Sequence, residues 1–88
     1  MLVVSTPSFN KDIGKIKDKN LASRIEQIIL KIQLADNISE ISSLKTMSGA
    51  ENAYRIRIGD YRLGFTMSDN TVRLVIFAHR KDIYRYFP

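Results

Sequence analysis

The chain has 88 residues, 44% hydrophobic and 26% charged, a composition that predicts one globular domain over residues 1–88. It contains no cysteine, which excludes a disulfide framework, a thiolate metal site and a thiol nucleophile, so a fold of this size must rest on its apolar core. No apolar run approaches the roughly 20 residues that span a bilayer, and Met1-Leu2-Val3-Val4 lacks the basic leader of a signal peptide; the expected location is the cytoplasm.

The net charge of +5 is unevenly spread. Residues 1–44 carry six basic and five acidic side chains, whereas residues 45–88 carry eight and four. Six of the seven arginines (Arg55, Arg57, Arg62, Arg73, Arg80 and Arg85) lie in the second half, with only two lysines beside them. Arginine presents a planar fork that matches phosphate, while lysine is a compact point charge. Arginines concentrated on expected strands point to a polyanionic partner such as nucleic acid.

Leu2 to Ser5 reads as a first strand. Thr6-Pro7-Ser8 then opens a helix, with Thr6 or Ser8 as N-cap and Pro7 in the first turn, where its missing N–H costs nothing. Phe9, Ile13 and Ile16 recur at helical spacing. After the short polar connection Asp18-Lys19-Asn20, a second helix is expected from about Leu21 to Leu34, with Leu21, Ile25, Ile28, Ile29 and Ile32 on one face. Two helices with a short link form an antiparallel hairpin, and each has one apolar face that must pack on a sheet. The mixed charges on their outer faces read as solvated surface. Residues 36–49 show no clear periodicity; Ile38, Ile41 and Leu44 are expected to dock as a partial helical turn, and residues 47–52 read as turn-rich.

A three-stranded antiparallel meander follows: about Ala53 to Ile58, Tyr61 to Met67 and Thr71 to Ala78, joined by turns at Gly59-Asp60 and Ser68-Asp69-Asn70. Alternation puts Tyr54, Ile56 and Ile58 on one face and Arg55 and Arg57 on the other. Tyr61, Leu63 and Phe65 repeat the apolar set, with Arg62 opposite. A hairpin of these strands crowds three guanidinium groups on one face. The last strand is nearly continuous in apolar residues, as for a central strand that also pairs with the first. In the tail, Ile83, Tyr84 and Phe87 are candidates to pack down. The expected fold class is α+β in the order β-α-α-β-β-β.

That order, with Leu44-Lys45 and Gly49 ahead of Tyr54-Arg55-Ile56-Arg57-Ile58-Gly59-Asp60-Tyr61-Arg62-Leu63 and with His79-Arg80-Lys81-Asp82-Ile83-Tyr84-Arg85 at the end, resembles the RelE/ParE superfamily of toxins from type II toxin–antitoxin modules. Thr6-Pro7-Ser8-Phe9 resembles the family's start of helix one, so the likeness covers essentially the whole chain. The resemblance implies either a RelE-like enzyme that cuts mRNA in the ribosomal A site, which is the favoured reading, or a ParE-like inhibitor of DNA gyrase without nuclease activity; an inactive member that only binds its antitoxin is a further alternative. It also implies a cognate antitoxin as partner. By resemblance, Arg55 and Arg57 fall at strand positions that are often lysine, Arg62 and Arg80 at two catalytic arginines, and Tyr84 at the C-terminal tyrosine. Three departures stand out: arginine replaces lysine at positions 55 and 57, Tyr84 follows Arg80 more closely, and no long C-terminal helix follows.

The chemistry of such a site can be worked out from the residues. RNA is cut when its own 2′-OH attacks the adjacent phosphate, which needs removal of a proton, neutralisation of the phosphoryl oxygens and stabilisation of the leaving 5′-oxygen. Guanidinium groups suit the second task, and such electrostatic preorganisation is commonly the largest catalytic contribution. Arginine stays protonated and serves poorly as a base. That leaves His79, the one side chain whose ordinary titration lies near neutrality, and Tyr84 as candidate acids or bases. The resemblance implies Arg62, Arg80 and Tyr84 as catalytic residues, to which the chemistry adds His79, and the candidate RNA-binding residues are Arg55, Arg57, Lys45 and Lys81. Asp60, Asp69 and Asp82 are scattered, so no metal site and no cofactor are expected.

Overall fold

The computed structural model describes residues 1–47, 49 and 51–88. The chain runs β1 (Leu2–Ser5), α1 (Pro7–Gly14), α2 (Lys19–Leu34), a 3-10 turn (Ile38–Glu40), β2 (Leu44–Thr46), β3 (Ala53–Ile58), β4 (Tyr61–Ser68), β5 (Thr71–His79) and α3 (Ile83–Tyr86). Local chemistry sets both long helices. The Thr6 hydroxyl accepts the Phe9 N–H at 3.1 Å and donates to the Leu74 carbonyl at 3.0 Å, so one side chain caps α1 and ties it to β5. The Asp18 carboxylate accepts the N–H groups of Asn20 and Leu21 and starts α2 two residues before the expected position.

The strands form one sheet in the order β1-β5-β4-β3-β2. β1 lies parallel to β5, with Leu2 opposite Thr71 and Ser5 opposite Leu74, and every other neighbour is antiparallel. β5 is therefore interior to the sheet, as its continuous apolar run implies. Both helices cover one face. There Phe9, Ile25 and Ile32 meet Ile56, Ile58, Leu63, Phe65, Val72, Leu74 and Phe77 in the main core. The α+β class and the helical hairpin agree with the sequence reading.

Two features differ from it. The connector contains not only a helical turn at Ile38–Glu40 but also the edge strand β2, paired antiparallel to β3 with Lys45 opposite Arg55. The sheet thus has five strands where a meander and a first strand gave four. A run of three residues is too short for period-two patterning to reveal, and its pairing comes from β3 rather than from its own composition. Of the expected turn at 47–52, Ser48 and Ala50 lie outside the described residues.

The second difference is a β-bulge. Gly64 pairs with Ile76, but Phe65 pairs with Leu74, which leaves Val75 as an extra residue on β5. The alternation changes phase there. Val72, Leu74 and Phe77 all reach the helix side, while Ile76 joins a second cluster with Met47, Ala53, Ile83 and Phe87 on the opposite face. This second cluster fixes the C-terminal tail to the sheet. Gly64 makes room for it: a Cβ at this position would lie 2.6 Å from Cγ2 of Ile76 and 2.8 Å from Cδ2 of Phe87. The absence of a side chain is what lets the Phe87 ring lie on the strand.

Gly64→Ala should therefore push Phe87 off the sheet and cost about 1–3 kcal/mol, the usual range for an overpacked core position. Denaturant unfolding measures this loss; an unchanged midpoint would mean that the tail is not seated in the Gly64 slot.

Candidate nucleic-acid interface

The face opposite the helices carries the predicted arginines. Directly opposed residues in an antiparallel pair share a face. Lys45, Arg55, Gly64 and Ile76 form one row across β2 to β5, and Arg57, Arg62 and Ala78 form the next across β3 to β5. Arg57 is exposed, while Arg55 and Arg62 are partly buried. The second row ends on the small side chain of Ala78, whereas the space above Gly64 in the first is taken by the Phe87 ring.

The β3–β4 turn gathers the remaining groups. Gly59 has a φ of +61°, a left-handed conformation that glycine adopts without steric cost. Arg62 Nη1 donates to the carbonyls of Gly59 and Tyr61, at 3.0 and 2.8 Å. The guanidinium is thus held by two backbone acceptors through one of its nitrogens, and among the described residues its other N–H groups have no acceptor. Arg80 enters from the end of β5, where its backbone N–H donates to the Asp60 carbonyl at 2.8 Å. Tyr84 comes from α3. Its ring lies 5.5 Å from the Arg55 guanidinium carbon, a cation–π contact. Ile83 and Phe87, buried on either side of Tyr84 in sequence, hold the helix that presents it.

The structure thus brings Arg55, Arg57, Arg62, Arg80 and Tyr84 to one place, with Lys45 beside Arg55 in the sheet register. Lys81 is exposed in the turn after β5, and its N–H donates to Nδ1 of His79 at 3.2 Å. His79 is placed apart. It pairs with Tyr61 across the sheet, and its ring stands edge-on to Tyr61 at 5.5 Å; Tyr61 in turn stacks on Phe77 of the main core. The bulge at Val75 is the cause: unbroken alternation from Leu74 would have put positions 77 and 79 on the arginine face, and the extra residue turns both to the helix side.

Arg24 is a basic residue near the site that helical patterning assigned to a solvated face. It extends from α2 to the same turn, where a Cβ at Gly59 would lie 3.3 Å from its Nη1. Its mixed-charge neighbours on α2 gave no sign of this, because only the packing angle of the helix on the sheet brings it there.

So many like charges have a measurable consequence. Burial lowers the pKa of the Arg62 guanidinium from its ordinary value, and repulsion from Arg55 and Arg57 adds to this; the Tyr84 hydroxyl opposes the shift and Arg80 reinforces it. The folded state disfavours the protonated form of this group. The cost is fully present below the lowered folded value and fades only as pH rises through it, so at neutral pH the whole of it is carried. Salt screens such repulsion, with a Debye length of about 10 Å at about 0.1 M. Raising ionic strength should therefore raise the thermal midpoint, and Arg57→Gln should melt higher than the parent at low salt and respond less to added salt. Parallel melting series for the two proteins check this; equal salt responses would contradict it.

Comparison with known proteins agrees with this fold. The sequence model described as the ParE toxin of type II toxin–antitoxin system, parDE, matches residues 3–84. The protein named Toxin RelE3 from Methanocaldococcus jannaschii is 34% identical over 89 positions, which cover all of both chains. Among solved structures, the crystal structure of the RelB–RelE antitoxin–toxin complex from Methanococcus jannaschii matches with a TM-score of 0.79 and 31% identity over all of both chains. The YoeB dimer from Staphylococcus aureus shares the fold, with a TM-score of 0.74 at 18% identity over 90% of this chain and 95% of that one. The chain belongs to the ParE toxin family of type II toxin–antitoxin systems, within the RelE/ParE superfamily, and is a RelE-like toxin in sequence and fold.

Proposed function

We propose that this toxin is a RelE-like endoribonuclease that cuts mRNA in the ribosomal A site and so stops translation, with residues 1–88 acting as a single catalytic domain. The observation that carries the reading is the convergence of Arg55, Arg57, Arg62 and Arg80 with Tyr84 on the open sheet face.

In the proposed step the 2′-oxygen forms a bond to the adjacent phosphorus and the bond from phosphorus to the 5′-oxygen breaks, without a metal ion. The 2′ proton must be accepted and the 5′-oxygen must gain one. Arg62, held by the turn carbonyls, is the fixed donor to a phosphoryl oxygen, and charge-assisted bonds of this kind are the strong ones. Arg57 faces Arg62 across the strands and Arg80 adds charge from the end of β5, so the pentavalent phosphorane is surrounded by positive charge at small reorganisation cost. Tyr84, held in place by Arg55 over its ring, gives a proton to the 5′-oxygen, and the 2′ proton passes to solvent water, which returns one to Tyr84, so that a 2′,3′-cyclic phosphate and a 5′-hydroxyl remain. Alignment of the 2′-OH by the ribosome supplies much of the remaining rate, as positioning does in general. Lys45 and Lys81 lengthen the surface for RNA backbone. His79 is turned to the other side of the sheet and takes no part in this scheme.

Repulsion on the face also suits an acidic, antitoxin-type partner. The RelE chain from Methanococcus jannaschii was solved bound to RelB, and by similarity this chain has a cognate antitoxin whose acidic segment covers the arginines. The match to a ParE toxin model favours a second reading, inhibition of DNA gyrase by binding alone.

Programmed ribosomes with primer-extension mapping test the main reading. The wild-type protein should give A-site cuts. Loss of one such donor costs about 10²–10³-fold in rate, so Arg62→Ala should fall by that much and Arg62→Ala with Arg80→Ala further. Tyr84→Phe should lose about 10²-fold or more, as removal of an acid–base group does. His79→Ala should cut near the wild-type rate. Inhibited gyrase supercoiling without any ribosomal cutting would establish the second reading instead, and a dead His79→Ala with an active Tyr84→Phe would overturn the assignment of roles.

A further inference from the structure

A second basic surface lies around the corner from the arginine face. α2 and the segment from the 3-10 turn to β2 enclose a groove of about 550 Å³. Arg24 and Lys31 line it from α2, and Arg57 lines it from β3. Arg24 and Lys31 are seven residues apart, which is two helical turns and about 10 Å along the axis at a rise of about 1.5 Å per residue, so both project on the same side of α2. All three are exposed. Ile28, Ile41 and Ile56 form an apolar floor between them.

Two details set this groove apart from an ordinary solvated helix face. The acid among its described lining residues, Glu40, is already engaged: its carboxylate accepts the N–H groups of Asp36 and Asn37 at 2.8 and 3.0 Å as half of a capping box. The described lining residues therefore set three cations against one carboxylate that is already committed to the backbone, a net positive wall. The groove is also continuous with the arginine face. Arg57 belongs to both, and Gly59 is approached from both sides, by Arg24 from the helix side and by Arg62, which donates to its carbonyl, from the open face.

We propose that this groove is a second RNA-backbone site, in which Arg24, Lys31 and Arg57 hold RNA phosphates other than the one being cut. The path around the Gly59 turn joins the two surfaces, and the isoleucine floor accepts ribose and base. The inference rests on the nuclease reading above, since both surfaces share Arg57. The shared ligand chemistry is a phosphodiester chain, and its source is either the mRNA as it leaves the cut site or ribosomal RNA at the rim of the A site.

The test compares the wild-type toxin with Arg24→Gln/Lys31→Gln, two exposed substitutions whose folding is checked by thermal melting. Binding is measured against salt in two arms: a free 12-nucleotide RNA blocked by 2′-O-methylation, with a 4-nucleotide version beside it, and programmed ribosomes. Each lost phosphate contact removes about 0.7 from the slope of log K on log salt for single strands, so the double variant should lose about 1.4 and should weaken several-fold more for the longer RNA than for the shorter. A slope change in both arms identifies the mRNA as occupant, and a change with ribosomes alone identifies ribosomal RNA. Equal slopes in both arms overturn the proposal, as does a variant that binds RNA like the wild type but loses affinity for an acidic antitoxin peptide, which would make the groove a protein-docking surface. A-site cutting by the wild-type toxin is scored in the same preparations; its absence overturns the nuclease reading separately.

Discussion

Arg57 and Arg62 stand directly opposite each other across β3 and β4. Like charges in that position destabilise a sheet, and here Arg55 and Arg80 add to the same repulsion. The register cannot relax to avoid it. A slip of one residue would turn Ile56, Ile58, Leu63 and Phe65 out of the main core and put the arginines in it. Core burial, worth about 25 cal/mol per Å² of apolar surface, thus holds in place a charge arrangement that local electrostatics opposes. Sites that work on a polyanion are where such a cost is expected, because the ligand relieves it.

The open face keeps its arginines at the surface because of how its other half is built. An antiparallel sheet can leave its second face to solvent, and only the apolar part of that face needs cover. Here the tail supplies a small one: Phe87 on Gly64, and Ile83 with Met47, Ala53 and Ile76. The same short segment carries Tyr84 to Arg55. The tail is therefore a structural plug and a carrier of a functional group together, which links the stability of the second cluster to the geometry of the site. The Val75 bulge completes the arrangement. It gives Phe77 to the main core and Ile76 to the second cluster, and it sends His79 away from the arginines.

Much of this was legible in the chain. The helix caps, the Gly59-Asp60 turn and the period-two alternation of Tyr54 to Phe65 place the two helices, the hairpin and three arginines on one face without reference to tertiary structure. The sequence reading stopped where long-range pairing decides the outcome. β2 exists because β3 offers it an edge. The bulge is hidden in a run of apolar residues, Val72 and Leu74 to Ala78, where either phase of alternation looks acceptable; His79 is a candidate by its titration alone, and the strand pattern does not tell which face it takes. The strand pattern says nothing of Gly64, because only the folded tail reveals that a ring occupies the space above it. Arg24 is likewise visible at the turn only once α2 is docked on the sheet.

The central claim is that an RNA phosphate sits among Arg55, Arg57, Arg62 and Arg80, beside Tyr84 and away from His79. Nuclear magnetic resonance titration with a non-cleavable 2′-O-methyl RNA measures this directly, through the arginine Nε–H signals, the tyrosine rings and the His79 imidazole. The account predicts that the four arginine signals and the Tyr84 ring shift together and saturate with one binding curve while His79 stays unmoved. A shift of the His79 ring with unmoved arginine signals would contradict it.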